Sequence, residues 1–266
     1  MSLKRVGALA LLVATVIGCS KVPITGRKQL NLLPEGELMA MSLTEYQGFL
    51  KANPPLPPTD PRVKMVRTIG ERLANAATAY LTENGAAKRV SDFSWEFNVV
   101  DDPTVNAWCM PGGKVVVYTG LLPVTQDTEG LALVIGHEIA HAIARHGNER
   151  MSQLLAMQGA GITLQVLLSE KPSTASNLFL QAFGVGGQLG MLAYSRKHET
   201  EADKMGLVFM AMAGYDPRVA PKFWERMAAQ GGAKPPELLS THPNDERRIR
   251  DLEAYMPEAL KYYKPR

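Results

Sequence analysis

The chain has 266 residues, 45% of them hydrophobic and 21% charged, a globular composition that can bury a core and excludes disorder and a collagen-like fibre. Its formal charge of +3 gives no electrostatic footprint for nucleic acid, and loss of Lys4 and Arg5 with a leader would leave only +1. Two cysteines, Cys19 and Cys109, exclude a disulfide-stapled scaffold and a cysteine-rich zinc ribbon, so a metal here must be held by His, Asp or Glu.

Lys4 and Arg5 open a targeting segment whose apolar run, Val6 to Ile17, is shorter than the roughly 20 residues of a spanning helix and is followed at once by Ser20, Lys21 and Pro23. Its end, Val16-Ile17-Gly18-Cys19, resembles the bacterial lipobox. That resemblance implies cleavage after residue 18 and lipidation of Cys19, which would tether an otherwise soluble chain. Ser20 after the cysteine resembles lipoproteins sent on to the outer membrane. Cys109 then lacks a partner and is expected to be a small buried hydrophobe.

Glu35 to Ala52 carries Leu38, Met41, Tyr46, Phe49 and Leu50 at helical spacing. Asn53 to Pro61 holds five prolines and reads as a stiff extended link. Pro61 opens a second helix, with Asp60 as N-cap, apolar residues at 63, 66, 69, 73 and 77, and Asn84-Gly85 as its stop. Phe93 to Val100 and Lys114 to Thr119 are rich in aromatic and branched residues and predict a small sheet, with turns at Asp102-Pro103 and Pro111-Gly112-Gly113. From Asp127 to His146 the pattern is helical, with Gly147 in the stop position. Met151 to Leu168 and Asn177 to Tyr194 predict two further helices, a packed pair separated by a turn at Lys171-Pro172-Ser173-Thr174. Gly184, Gly186, Gly187 and Gly190 do not form a dinucleotide loop, because Leu189 replaces the third glycine and no strand precedes them. Glu199 to Gly214, Pro217 to Gln230 and Asn244 to Leu260 are the last helices, with a loop over 231–236.

Within the third helical run, His137-Glu138-Ile139-Ala140-His141 is an HExxH motif. Two histidines four apart share a face, about 6 Å apart along the axis, so both can reach one zinc at about 2.0 to 2.1 Å, while Glu138 stands where it can take a proton from a water. Catalytic zinc keeps three protein ligands and an open position. His146 is turned about 140° from His141 on an ideal helix and is a poor third ligand. The metzincin spacing fails, since Ala144 and Gly147 stand where it needs glycine and histidine. His242 stays open on spacing alone. Glu199 and Asp203 lie four apart on one helical face, which suits a ligand and an acceptor that orients a ligand imidazole, with Glu201 pointing nearly opposite. A solvated surface paired with Arg196 and Lys197 is the competing reading of these acids.

The segments HEIAH, SRKHETEAD and THPNDERRI, in that order, resemble the HtpX and CAAX-prenyl-protease type of zinc metallopeptidase. PITGRKQLNL and NAWCMPGGKVVVYTGLL resemble that family's periplasmic and mitochondrial quality-control members. The resemblance implies an α+β, predominantly α-helical, zincin-like domain with a small antiparallel sheet and an active-site HExxH helix. It implies one Zn²⁺ per chain on His137, His141 and Glu199, with Asp203 as partner and Glu138 as the catalytic acid and base. It further implies that His242 and Arg248 stand near the substrate carbonyl, and that the strand around Asn106, Ala107 and Trp108 pairs with a peptide substrate. The chain lacks the family's multi-pass membrane segments and is expected in its soluble, lipid-tethered branch.

The expected organisation is therefore a lipoprotein signal peptide at 1–18, a lipid-anchored segment with the first helix and proline link at 19–60, and a catalytic domain at 61–266. The expected activity is zinc-dependent endopeptidase cleavage of unfolded or misassembled envelope proteins, on the periplasmic side of a Gram-negative membrane, most simply the outer one. Outer-membrane assembly proteins are candidate partners. The alternatives are a non-catalytic, chaperone-like binding lipoprotein and a zinc hydrolase of a non-protein amide such as peptidoglycan.

Overall fold

The computed structural model describes residues 19–157, 164–183, 194–229, 237–242 and 246–265. The leader at 1–18, the glycines at 184–190 and the loop at 231–236 lie outside the described residues. Cys19 opens strand β1 (Cys19–Lys21), which pairs antiparallel with β2 (Lys28–Leu30). Helix α1 (Glu35–Ala52) has Glu35 and Glu37 in its first turn and Lys51 in its last, signs that suit the helix dipole. Helix α2 (Pro61–Glu83) begins as expected, with Pro61 at its first position and the Asp60 carboxylate accepting from Arg62 N at 2.8 Å.

Three strands follow: β3 (Glu96–Val100), β4 (Ala107–Met110) and β5 (Lys114–Tyr118), in the order β3-β5-β4. The β4/β5 pair is antiparallel, as is β1/β2, whereas β3 joins β5 in parallel, so the three-stranded sheet is mixed. Its residues alternate between two apolar layers. Phe97, Val99, Ala107, Cys109, Val115 and Val117 join the core that includes α2 residues such as Val66 and Leu73, while Val100, Trp108, Met110, Val116 and Tyr118 pack with α1 residues such as Leu38 and Tyr46. Gly70 lets α2 approach closely, because a Cβ there would lie 2.3 Å from the Phe97 ring. The proline link runs extended along β3, with Leu56 N donating to Val99 O at 2.8 Å and Pro55 bridging Val100. Cys109 is free and buried.

After a short helix α3 (Leu122–Thr125) comes α4 (Thr128–Ala144), capped by the Asp127 side chain on Gly130 N at 2.7 Å and buried from Gly130 onward. It ends two residues before the expected stop. Arg145 takes the left-handed conformation, φ +62°, and helix α5 (His146–Met157) starts at once. Gly147 is therefore not a terminator but lies inside α5, where a Cβ would fall 1.9 Å from the Phe183 ring. The glycine answers to packing, and the terminator is a residue with no conformational signature in the sequence.

Helix α6 (Leu164–Glu170) and helix α7 (Pro172–Phe183) follow. The turn expected over residues 171–174 shrinks to Lys171, because Pro172 opens α7 with the preset φ that a first helical turn accepts. Helix α8 (Arg196–Met212) is capped by Ser195 on His198 N at 3.3 Å. A 3₁₀ turn at Pro217–Val219 leads into α9 (Ala220–Ala229), and α10 (Glu237–Thr241) and α11 (Glu246–Ala259) complete the chain. No helix among the described residues is long and apolar enough to cross a membrane. Helices α4 and α8 cross where Gly136 meets Gly206: a Cβ on Gly206 would lie 3.1 Å from His137 N.

Candidate metal centre

The glycine crossing brings the α4 histidines over the acids of α8. His137, His141, Glu199 and His242, all buried, offer ligand atoms that lie within 4.8 Å of one another. His137 Nε2 is 3.0 Å from His141 Nε2 and 3.2 Å from His242 Nδ1, and His242 Nδ1 is 3.1 Å from Glu199 Oε1. Glu199 Oε2 lies 3.4 Å from His137 Nε2. His242 thus joins the three donors expected from the sequence, at the end of α10, where Leu238 N donates to Val105 O just before β4 at 3.2 Å.

Electrostatics favour positive charge at this point. Burial works against a His137 imidazolium, yet hydrogen bonds and charge from Asp203 and Glu199 raise its pKa to about 9. Burial would raise the Glu199 carboxyl, but His242, Arg248, His137 and His141 hold it well below its ordinary range. Burial keeps His141 neutral, pushing it well below the ordinary histidine value. The fit to a cation is also visible in an unused acceptor: Glu138 Oε1 is buried and accepts no hydrogen bond. Imidazole nitrogens and a carboxylate aimed at one point suit a divalent metal of the zinc type.

Asp203 Oδ1 lies 2.9 Å from His137 Nδ1, within reach of that ring's N–H. Arg248 grips both Asp203 oxygens at 2.7 and 2.8 Å, reaches Glu199 Oε2 at 3.0 Å and lies over the Trp224 ring at 3.5 Å. Glu138 lies 3.4 Å from His242 Nε2, and burial raises its carboxyl pKa. Asn106 and Ala107 are buried at the start of β4, the edge strand beside α4, and Trp108 points to the other layer against Tyr46 and Phe49.

Several neighbours of the centre were not legible in the sequence. Trp224 backs His137 with ring centroids 5.9 Å apart, and Tyr194 lies against His141 at 4.1 Å. His146 holds no place among the four donors but puts its Nδ1 3.0 Å from His141 Nδ1 and its Nε2 3.1 Å from Glu201 Oε2. Burial pushes His146 down to about 4, so it is neutral at ordinary pH. Glu201 does not pair with Arg196 or Lys197 in a solvated surface; it is buried and accepts from Arg27 and Thr25. Helical spacing found the i, i+4 pair Glu199 and Asp203, but it carries no information about a partner 174 residues away.

An HExxH helix crossed by an ExxxD helix, with ring nitrogens and a carboxylate converging between them, is the centre of a metallopeptidase-type domain. The sequence model of Peptidase family M48 matches residues 63–256, and the chain belongs to that family. The chain is 35% identical over 248 residues to the mitochondrial metalloendopeptidase OMA1 of Schizosaccharomyces pombe, covering 90% of this chain and 66% of the relative. It is 34% identical over 249 residues to metalloendopeptidase OMA1, mitochondrial, of Homo sapiens, covering 90% and 46%. The beta-barrel assembly-enhancing protease of Yersinia pestis is 29% identical over 211 residues, covering 77% and 41%. The chain thus spans about two thirds or less of the length of these relatives. The resemblance to the HtpX type holds at the level of the family, while these relatives carry OMA1 and barrel-assembly names.

Proposed function

We propose that this chain is a zinc-dependent metalloendopeptidase, with His137, His141 and Glu199 as the zinc ligands. The observation that carries the reading is the buried convergence of these donors beside Glu138, whose Oε1 accepts no hydrogen bond. What zinc would supply there is Lewis acidity, polarising a scissile carbonyl and lowering the pKa of a water to about 7. Glu138 takes a proton from that water and returns it to the leaving amine; the burial that raises its carboxyl pKa suits a group that must both accept and release a proton. Asp203, gripped by Arg248, keeps the proton of His137 on Nδ1 and so leaves Nε2 free to ligate. Four protein donors close a zinc site and three leave it open, so turnover requires His242 to leave the cluster. Its ring N–H is then available to the developing oxyanion, with the Arg248 charge behind it. The edge strand at Asn106, Ala107 and Trp108 offers the backbone on which an extended peptide would pair.

The substrate class we infer is unfolded or misassembled envelope protein, met by a lipid-anchored enzyme at the periplasmic face of the outer membrane. The lipobox-like Val16 to Cys19 and the barrel-assembly name of one relative support this reading. The intact acid, base and ligand set speaks against a purely chaperone-like lipoprotein. The test is zinc content and casein cleavage. Glu138→Gln is expected to keep about one zinc per chain and lose at least about 10³-fold in turnover; an active Glu138→Gln enzyme would sink the assignment, and cell-wall fragments cleaved in place of casein would redirect it.

A further inference from the structure

We propose that Arg27, in the N-terminal hairpin, is a positioning residue of the metal centre that fixes the ring and tautomer of His141 through Glu201 and His146. The inference rests on the proposed metal-ligand role of His141. If His141 ligates through Nε2, its proton sits on Nδ1 and is donated to His146 Nδ1, 3.0 Å away. His146 then carries its own proton on Nε2 and donates it to Glu201 Oε2 at 3.1 Å. One arrangement of protons satisfies every link, and it is anchored where the acceptor is fixed. Glu201 is fixed by Arg27, whose Nε and Nη2 donate to Oε1 and Oε2 at 2.8 and 2.9 Å, with Thr25 adding a bond to Oε1 at 2.8 Å.

The hairpin is built to deliver this guanidinium. Ile24, a branched residue, takes φ +66° and Gly26 φ +68° in the turn that aims Thr25 and Arg27 at Glu201. Gln29 donates to Ala144 O at 2.8 Å and Arg89 to Ile143 O at 2.8 Å, satisfying carbonyls at the open end of the metal helix, and Arg89 also binds Lys21 O in β1. The hairpin therefore grips α4 at its C-terminus while Arg27 reaches past it to α8. A second feature separates this contact from an ordinary surface ion pair: His137 is held in the same manner, by a carboxylate of α8 gripped by an arginine, Asp203 with Arg248. Arg27 lies outside the family match at 63–256.

Arg27 also grips Glu149, Nη1 to Oε1 at 2.8 Å and Nη2 to Oε2 at 2.6 Å, and Glu149 bonds His198 Nε2 at 3.0 Å. That second grip supplies the control. Glutamine at either acid leaves one acceptor oxygen for several donors, so Glu149→Gln and Glu201→Gln loosen the hairpin alike, but only Glu201 is hydrogen-bonded to His146; Glu149 reaches that ring through the stacked His198 ring, 4.5 Å away, which fixes no proton. The experiment measures Zn²⁺ affinity of the full chain in detergent by competition with a chelating dye, together with unfolding of the metal-free protein, for wild type, Arg27→Ala and the two glutamine variants. Arg27→Ala and Glu201→Gln are expected to bind Zn²⁺ about 10- to 100-fold more weakly, with Glu149→Gln near wild type although equally destabilised. Equal affinities in the two glutamine variants would overturn the relay and leave the metal centre standing. A wild-type chain that binds no Zn²⁺ would overturn both. If Arg27→Ala does not fold, the glutamine pair decides alone.

Discussion

His137 and His141 stand one turn apart on the same helix, yet the acids that steady them arrive by routes of different length. Asp203 lies four residues beyond Glu199, on the same face of α8, and touches His137 directly at 2.9 Å. Glu201 lies two residues beyond Glu199, about 200° round the helix, so an extra imidazole, His146, must span the gap to His141. The arginines differ as well: the side chain of Arg248 is 5% exposed and that of Arg27 24%. The short arm is core and fails abruptly when broken, because a buried charge is left uncompensated. The long arm ends near water and yields by degrees.

Asp203→Asn should have the largest effect, since it strips one of two carboxylates from buried Arg248. A loss of about 3 kcal/mol in urea unfolding and about 100-fold in Zn²⁺ affinity is expected; a change no larger than that of Glu201→Gln would erase the distinction between the arms. Gly206→Ala comes next. Its Cβ meets His137 N at 3.1 Å and backbone on both sides, so the helices must part, disturbing His137 and His141 at once. We expect about 1 to 3 kcal/mol by thermal unfolding, and weaker Zn²⁺ binding than the destabilisation alone would bring.

The smallest effect is one of acidity, and it touches the long arm. Burial opposes ionisation of Glu149, but Arg27 and His198 lower its carboxyl to about 2, against 4.5 for an ordinary glutamate. The stability it contributes is full above about 4.5 and fades as the pH falls toward about 2. Unfolding midpoints followed from pH 6 down to about 2 should therefore drop less steeply in Glu149→Gln than in wild type. Parallel curves would show that this acid is not held as described.

What the sequence made legible is what repeats locally. Asp60 before Pro61 and the i, i+4 spacings of His137 with His141 and of Glu199 with Asp203 each state a geometry within one turn, and each is found in the fold. The stop at Arg145 escaped because an arginine in the left-handed region is specified by its surroundings, here the start of α5, and not by its own preference. Gly147 misled for the converse reason: a glycine required by the Phe183 ring looks in sequence like one required by a turn. Arg27, Trp224 and Tyr194 reach the centre only through tertiary contact, and no periodicity records that.

The proline link has a consequence for how the molecule avoids its own kind. It lies along the outer edge of β3, bridging at Pro55 and Leu56, and Pro54, Pro55, Pro57 and Pro58 have no N–H to offer a further strand. Growth of the sheet by copies stacking on that side is blocked. The other edge is β4, next to the metal helix. The edge that the proline link leaves open is thus the one beside the HExxH helix, where the proposed pairing of an extended peptide would take place.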